Sequence, residues 1–224
     1  MIVLALGVTA YMSVFSGTSS QNLSQTSSAT LSLSNPTPSM GTWGHIDTRA
    51  ADSLPLALDQ LFPAQFSVGG ASYIRTAQLG GTNCVHAVFG AALQAAVRKY
   101  GCSQVMRASY LSSARKLMGT IGVLNLSSVT GAIRVGRATG SSEFISQLTA
   151  ATGPTHNLTK GTGLEEAEVK GHYLILIWAE FTTLRAPNTA AQKTRLKTFS
   201  ANLISQTANI SLTSRMVTGK PQAP

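Results

Sequence analysis

Four histidines, two cysteines and eight carboxylates are the groups in this chain that could do chemistry. His45, His86, His156 and His172 are scattered, and no pair of them has metal-ligand spacing with a Cys or carboxylate beside it. Cys84 and His86 fall two residues apart on a segment that reads as helix, where their side chains diverge. Glu165, Glu166 and Glu168 precede a long apolar tract and Glu180 sits near its end; with Arg and Lys in excess they read as surface ion pairs rather than an acid/base pair. The run Gly119–Thr120–Ile121–Gly122–Val123 has the look of a phosphate loop but lies inside a strand pattern and lacks the Lys-Ser/Thr ending. Its glycines instead suggest a bulge or a close backbone approach. No G-x-S-x-G marks a nucleophile among the serines. The sequence therefore nominates no catalytic residue, no cofactor-binding residue, no metal ligand and no cofactor.

Charge is more informative. Seventeen Lys and Arg stand against eight Asp and Glu, giving +9 and a pI near 10. No acidic residue occurs between Gln60 and Ser142, a stretch that carries Arg75 and Arg107 as well as six further cations. Those six, Arg98, Lys99, Arg115, Lys116, Arg134 and Arg137, are the candidate contacts to an anionic surface. Outside a cell the partner is an anionic envelope polymer or lipid headgroups; in a cytosol it is nucleic acid. The chain has neither an aromatic-interleaved basic cluster nor a helix-turn-helix pattern to support nucleic-acid readout. A thin cationic coat that serves only solubility is the plainer alternative.

The elements that must position these groups alternate in type. Residues 52–66 are broken by Pro55 and Pro63 and read as a short docking turn. Phe66 to Gln78 reads as extended, with a turn at Gly69–Gly70. Val85, Val88, Phe89, Ala92, Leu93, Ala96 and Val97 recur at helical spacing, with Thr82 or Asn83 as cap and Gly101 at the C-terminal end. Ser103–Leu111 and Lys116–Leu126 form a hairpin, Val129–Thr139 a weaker helix, and residues 150–164 a loop. Glu168–Leu184 reads as one strand whose centre, Tyr173–Trp178, is apolar on both faces and so belongs in a covered interior position. Asn188 caps a final helix carrying Leu196, Phe199 and Leu203 on one face, and a loose basic tail runs from Ser211 to Pro224. The order β-α-β-β-α-β-α predicts an α+β fold, a mostly antiparallel sheet with helices packed on one face. A ferredoxin-like βαββαβ arrangement with a C-terminal helix is the natural form, although it places the most buried-looking strand at a sheet edge.

The cysteines and that helix conflict. An exported chain with two cysteines favours a Cys84–Cys102 disulfide. Eighteen residues of unbroken helix hold them roughly 27 Å apart, far beyond the ~4.4–6.8 Å between Cα atoms that a bridge requires. Either the helix starts later or breaks near Gly90, or the cysteines stay unpaired.

The chain opens with an uncharged apolar run from Met1 to Phe15. As helix, Ile2–Phe15 covers roughly 21 Å of the ~30 Å hydrocarbon core. No basic residue precedes it and no convincing cleavage sequence follows, so a truncated or short membrane anchor fits better than a signal peptide or a soluble helix. Thirteen of the twenty-four residues from Ser16 to Ser39 are Ser or Thr and none is charged, a composition that cannot offset its own ordering entropy. The expected organisation is an anchor at 1–15, a flexible linker at 16–45, one extracytoplasmic domain at 46–220 and a disordered tail at 221–224.

The segments GCSQVMRASY (101–110), MGTIGV (118–123), KGHYLIL (170–176) and SRMVTG (214–219) resemble those of a group of single-span, membrane-anchored extracytoplasmic proteins of actinomycetes with no established activity. The resemblance spans roughly residues 45–220. It implies a single-pass cell-membrane location with the main domain outside, and it transfers no functional residues. The expectation is a non-enzymatic tethered module that senses or binds an envelope component or a partner protein through a basic surface. An envelope enzyme with a dispersed site, or a nucleic-acid-binding domain if the membrane reading fails, are the alternatives.

Overall fold

A computed structural model of the chain describes residues 41–221. The expected anchor, most of the linker and residues 222–224 lie outside the described residues. Among the described residues those before 46 are already part of the fold, with Trp43 packed on the core and a 3-10 turn at Gly44–Ile46. The strands are β1 (Gln65–Val68), β2 (Ala71–Gly81), β3 (Val88–Phe89), β4 (Gln104–Ser112), β5 (Leu117–Asn125), β6 (Phe144–Ile145), β7 (Leu164–Lys170) and β8 (Tyr173–Phe181). The helices are α1 (Leu58–Leu61), α2 (Ala91–Lys99), α3 (Val129–Gly136), α4 (Ala190–Gln206) and α5 (Ala208–Thr218). Six strands form one sheet in the order β1-β2-β4-β5-β8-β7, and β3 pairs with β6 in a small ribbon. The expected α+β class and antiparallel sheet are what the chain adopts.

The ferredoxin-like order is not. A split β-α-β unit holds its two strands parallel with another strand between them, whereas here β2 and β4, the strands on either side of α2, are direct antiparallel neighbours and the sheet runs β2-β4-β5 in chain order. The tract read as one strand from Glu168 is two, because Gly171 turns the chain with φ of 60°. The charged half, β7, becomes the edge, and the apolar half, β8, slots between β7 and β5.

Because β8 is apolar on both faces, the sheet is covered on both, which corrects the expectation of helices on one face only. Tyr173, Ile175, Ile177 and Ala179 meet α4 and α5 through Leu196, Phe199, Leu203 and Leu212, together with Ile46, Leu61 and Phe62. Leu174, Leu176 and Trp178 meet Leu93 and Val97 of α2, Ala132 and Val135 of α3, and the β3–β6 ribbon. Two glycines of β5 admit these covers. A Cβ on Gly119 meets the Phe199 ring at 3.0 Å, and one on Gly122 meets Ile145 Cδ1 at 2.6 Å. The close-approach reading of that motif therefore holds on both faces.

The helix–disulfide conflict is settled by the helix starting late. α2 begins at Ala91, with Gly90 at φ 98°, and residues 84–87 form a turn in which Ala87 N donates to Cys84 O. Cys84 and Cys102 are bridged with Cα atoms 6.2 Å apart. Gly90 has no side chain to cap α2, and the Glu143 carboxylate accepts from Ala92 N and Leu93 N instead. Asn83, expected as the helix cap, accepts from His86 N within the turn.

The loose tail predicted from Ser211 is also corrected: most of it is α5, which ends at Gly219 in the left-handed region. Arg215 is fully buried and donates to Asp52 Oδ1 at 2.8 Å, Leu54 O at 2.8 Å and Pro55 O at 2.7 Å. Tyr173 OH donates to Asp52 Oδ2 at 2.7 Å. Beside it, His172 donates through Nδ1 to Ile46 O, and burial lowers its pKa, so it is a neutral core histidine.

Arg215→Met should cost about 3–5 kcal/mol in urea unfolding, because it leaves Asp52 buried without its cation. Asp52→Leu combined with Arg215→Met should cost less than the two single losses summed. Removing the disulfide, which closes a separation of 18 residues, should lower stability by about 3 kcal/mol in the same assay.

Candidate functional site

The six candidate cations occupy two distant places. Arg98 and Lys99 end α2, and Arg134 and Arg137 lie on α3; all four are exposed. The end of α2 touches the start of α3, where Ser127 N donates to Tyr100 O at 3.3 Å. Arg115 and Lys116 sit in the β4–β5 turn at the opposite ends of those strands. Nine residues of strand hold the two groups apart by about 30 Å. The acid-free stretch is thus not one surface.

At the β4–β5 turn, Lys116 meets a second acid-free segment: no Asp or Glu occurs after Glu180. Phe181 at the end of β8, Arg185 in the following loop and Arg195 in α4 join it around a pocket of about 280 Å³, with Thr182, Thr183 and Gln192 completing the wall. Lys116, Arg185 and Arg195 are exposed, and none of them makes an ion pair among the described residues. Arg195 lies over the Phe181 ring, its guanidinium carbon 5.4 Å from the centroid.

The two turns that shape the pocket are locked together. Thr182 N donates to Lys116 O at 3.1 Å, and Thr182 Oγ1 donates to Arg115 O at 2.8 Å. Arg115 and Leu184 have φ of 52° and 56°, and among the described residues they are the only non-glycines in the left-handed region. Each such residue costs on the order of 1 kcal/mol and persists where its surroundings hold it. Both flank this pocket. Three cations, the Thr183 hydroxyl and the Gln192 amide thus converge around a half-buried ring, an arrangement that can hold an anion by charge and by hydrogen bonds.

Other cavities lack that convergence. A groove of about 410 Å³ between β7 and α4 has charges that answer each other, with Glu166 4.0 Å from Lys197. A pocket of about 210 Å³ beside the disulfide includes Arg107, whose guanidinium already donates to Ser146 O. A third, of about 260 Å³, is bordered by Glu165, Gly163 and Trp178.

The carboxylates divide likewise. Glu166 is a surface partner as expected, but Glu180 is fully buried, accepting from Thr159 N at 2.9 Å and Thr162 Oγ1 at 2.5 Å. Burial raises its pKa and, more locally, that of Glu165. Among the described residues no group of three or more His, Cys, Asp or Glu could hold a metal ion.

Arg185, Arg195, Thr182 and Gln192 were not singled out by sequence reasoning. The second acid-free segment was a usable signal, but only the fold places it against Lys116. Among the described residues no helix is long and apolar enough to cross a membrane. No family model, curated protein or solved structure matches this chain.

The folded chain holds the Glu180 proton more tightly than the unfolded chain, so this group favours folding more as pH falls from neutrality toward its ordinary value of 4.5. Glu180→Gln keeps an acceptor for Thr159 and removes the titration. Its stability advantage over the parent, read from urea midpoints across that range, should shrink as pH falls; parallel profiles would show that Glu180 does not titrate there.

Proposed function

We propose that this chain is a binding module for an anionic ligand, carried outside the cell on its N-terminal tether, and that the pocket between Lys116, Arg185 and Arg195 is the binding site. The uncompensated convergence of these three cations on one concave, aromatic-floored site is the observation that carries the reading. A phosphate or carboxylate group would sit among the cations and the Thr183 hydroxyl, with the rest of the ligand beside the Phe181 ring. This is an envelope-facing role of the kind the resemblance to tethered extracytoplasmic proteins implies, with a small anionic group as the recognised feature.

The test is calorimetric titration of the full chain with inorganic phosphate at low ionic strength. Saturable one-to-one binding that weakens as sodium chloride rises is expected. Each hydrogen bond to a charged group contributes about 1.5–3 kcal/mol, so Lys116→Gln/Arg185→Gln/Arg195→Gln should weaken binding at least tenfold. Arg98→Gln/Lys99→Gln should leave it unchanged. Unaltered phosphate affinity in the triple variant overturns the assignment.

A further inference from the structure

The second cationic cluster has a different form. On α3, Gly131, Ala132 and Val135 face the core, while Thr130, Ile133, Arg134 and Arg137 face outward. Ile133 is 39% exposed, a large aliphatic side chain left in solvent beside cations. Arg98 and Lys99 adjoin it through Tyr100, whose Cβ lies 3.3 Å from where a Cβ on Gly131 would stand. Arg49 donates to Gly101 O and packs at the same junction. Asp47 is turned inward to accept from Trp43 N at 3.0 Å, and Glu165 of β7 lies beside Thr139, two residues beyond Arg137. The result is four exposed cations and one exposed isoleucine distributed over the end of α2 and the outer side of α3.

The chain also enters the domain here. Thr48 bridges Ser128, Val129 N donates to Asp47 O at 3.2 Å, and Arg49 N donates to Ser127 O at 3.3 Å. Residues 47–49 therefore run against the first turn of α3. The forty residues that precede the described domain carry the apolar run Ile2–Phe15, joined by a linker without charge. Whatever that run inserts into is covalently attached at the margin of this face.

We propose that the α2/α3 face docks on an anionic lipid bilayer, with Arg98, Lys99, Arg134 and Arg137 against headgroup phosphates and Ile133 at the headgroup–acyl boundary. Charge complementarity supplies the attraction, and each Lys or Arg at such a surface contributes roughly a fivefold gain in partitioning. The pocket at Lys116 lies at the far end of the sheet, so docking in this way leaves it open to a ligand from the surroundings. The inference does not depend on that pocket being occupied.

Flotation of the full chain with vesicles tests it, comparing mixed phosphatidylglycerol/phosphatidylcholine with phosphatidylcholine alone. The N-terminal run contributes to both, so the readout is the ratio between the two. The parent should favour the anionic vesicles, and Arg98→Gln/Lys99→Gln/Arg134→Gln/Arg137→Gln should bring the ratio close to one, about fivefold per cation removed. Ile133→Gln should reduce partitioning into both. These side chains are exposed, and an unchanged urea midpoint confirms that the variants are folded. Lys116→Gln/Arg185→Gln/Arg195→Gln should keep the full anionic preference, and the quadruple variant should keep phosphate binding. The proposal is overturned if the quadruple variant retains the parent's ratio or if the pocket variant loses it equally.

Discussion

A strand that is apolar on both faces forces two separate covers onto its sheet. Tyr173–Phe181 alternates Tyr173, Ile175 and Ile177 to one side and Leu174, Leu176 and Trp178 to the other, each nearly or fully out of water. Fully burying a side chain of this size contributes about 1.5–3 kcal/mol, so neither face can be left open without losing most of what holds the domain together. One cover is built from the two ends of the described chain: residues 43–62, α4 and α5. The other is built from its middle: α2, α3 and the β3–β6 ribbon. Each has one strong fastener. Arg215 and Asp52 tie α5 to the N-terminal segment and, through Tyr173, to β8 itself. The Cys84–Cys102 bridge ties the turn before α2 to the chain that leads into β4. The fasteners differ in kind because the covers do. Segments far apart in sequence are joined by a buried ion pair, and segments eighteen residues apart by a covalent link.

This division explains which parts of the fold were legible in the sequence. The hairpin of Ser103–Leu111 with Lys116–Leu126, the turn at Gly69–Gly70, the helix at Val129 and the interior character of Tyr173–Trp178 follow from local pattern and turn residues, and all appear in the structure. Gly119 and Gly122 were legible as a close approach because a phosphate loop would have needed neighbours they lack. The start of α2 was not. Val85, Val88 and Phe89 lie at helical spacing, but they are buried by a turn and a two-residue strand, and only Gly90 hinted at the break. The β7–β8 turn was hidden because Gly171–His172 is a single interruption in an otherwise continuous strand pattern. Arg215 was invisible for a physical reason: a basic residue in a polar C-terminal stretch reads as solvated unless its partner, 163 residues away, is known.

The candidate pocket was half legible on the same grounds. Composition marked Lys116 as part of an acid-free stretch. It could not show that strand pairing would place Leu117 opposite Phe181 and so bring a second acid-free stretch beside the first. Nor could it show that Arg98 and Arg134 would lie at the opposite ends of the strands. A count of charges along a sequence predicts the sign of a field; the register of the sheet decides where that field is concentrated. Here the cations separate into a concave site formed by turns and a second group at the end of α2 and on α3.

The way charge is handled inside the domain sharpens what those two sites mean. Arg215 is buried with a carboxylate and two carbonyls around it, and Glu180 is buried with an amide and a hydroxyl donor around it. Arg107 is spent on a backbone carbonyl, and Glu143 on the open end of a helix. The charged groups drawn into the fold thus have most of their hydrogen-bonding capacity met by the chain, Arg215 Nε being the exception. Among the described residues the cations at the pocket and on α2 and α3 have no carboxylate partners, and like charges brought close together repel. That repulsion is an energetic cost to the folded chain in isolation, modest at a solvated surface. An anion at either place relieves it, which couples ligand binding to the stability of the turns and helices that display the charges.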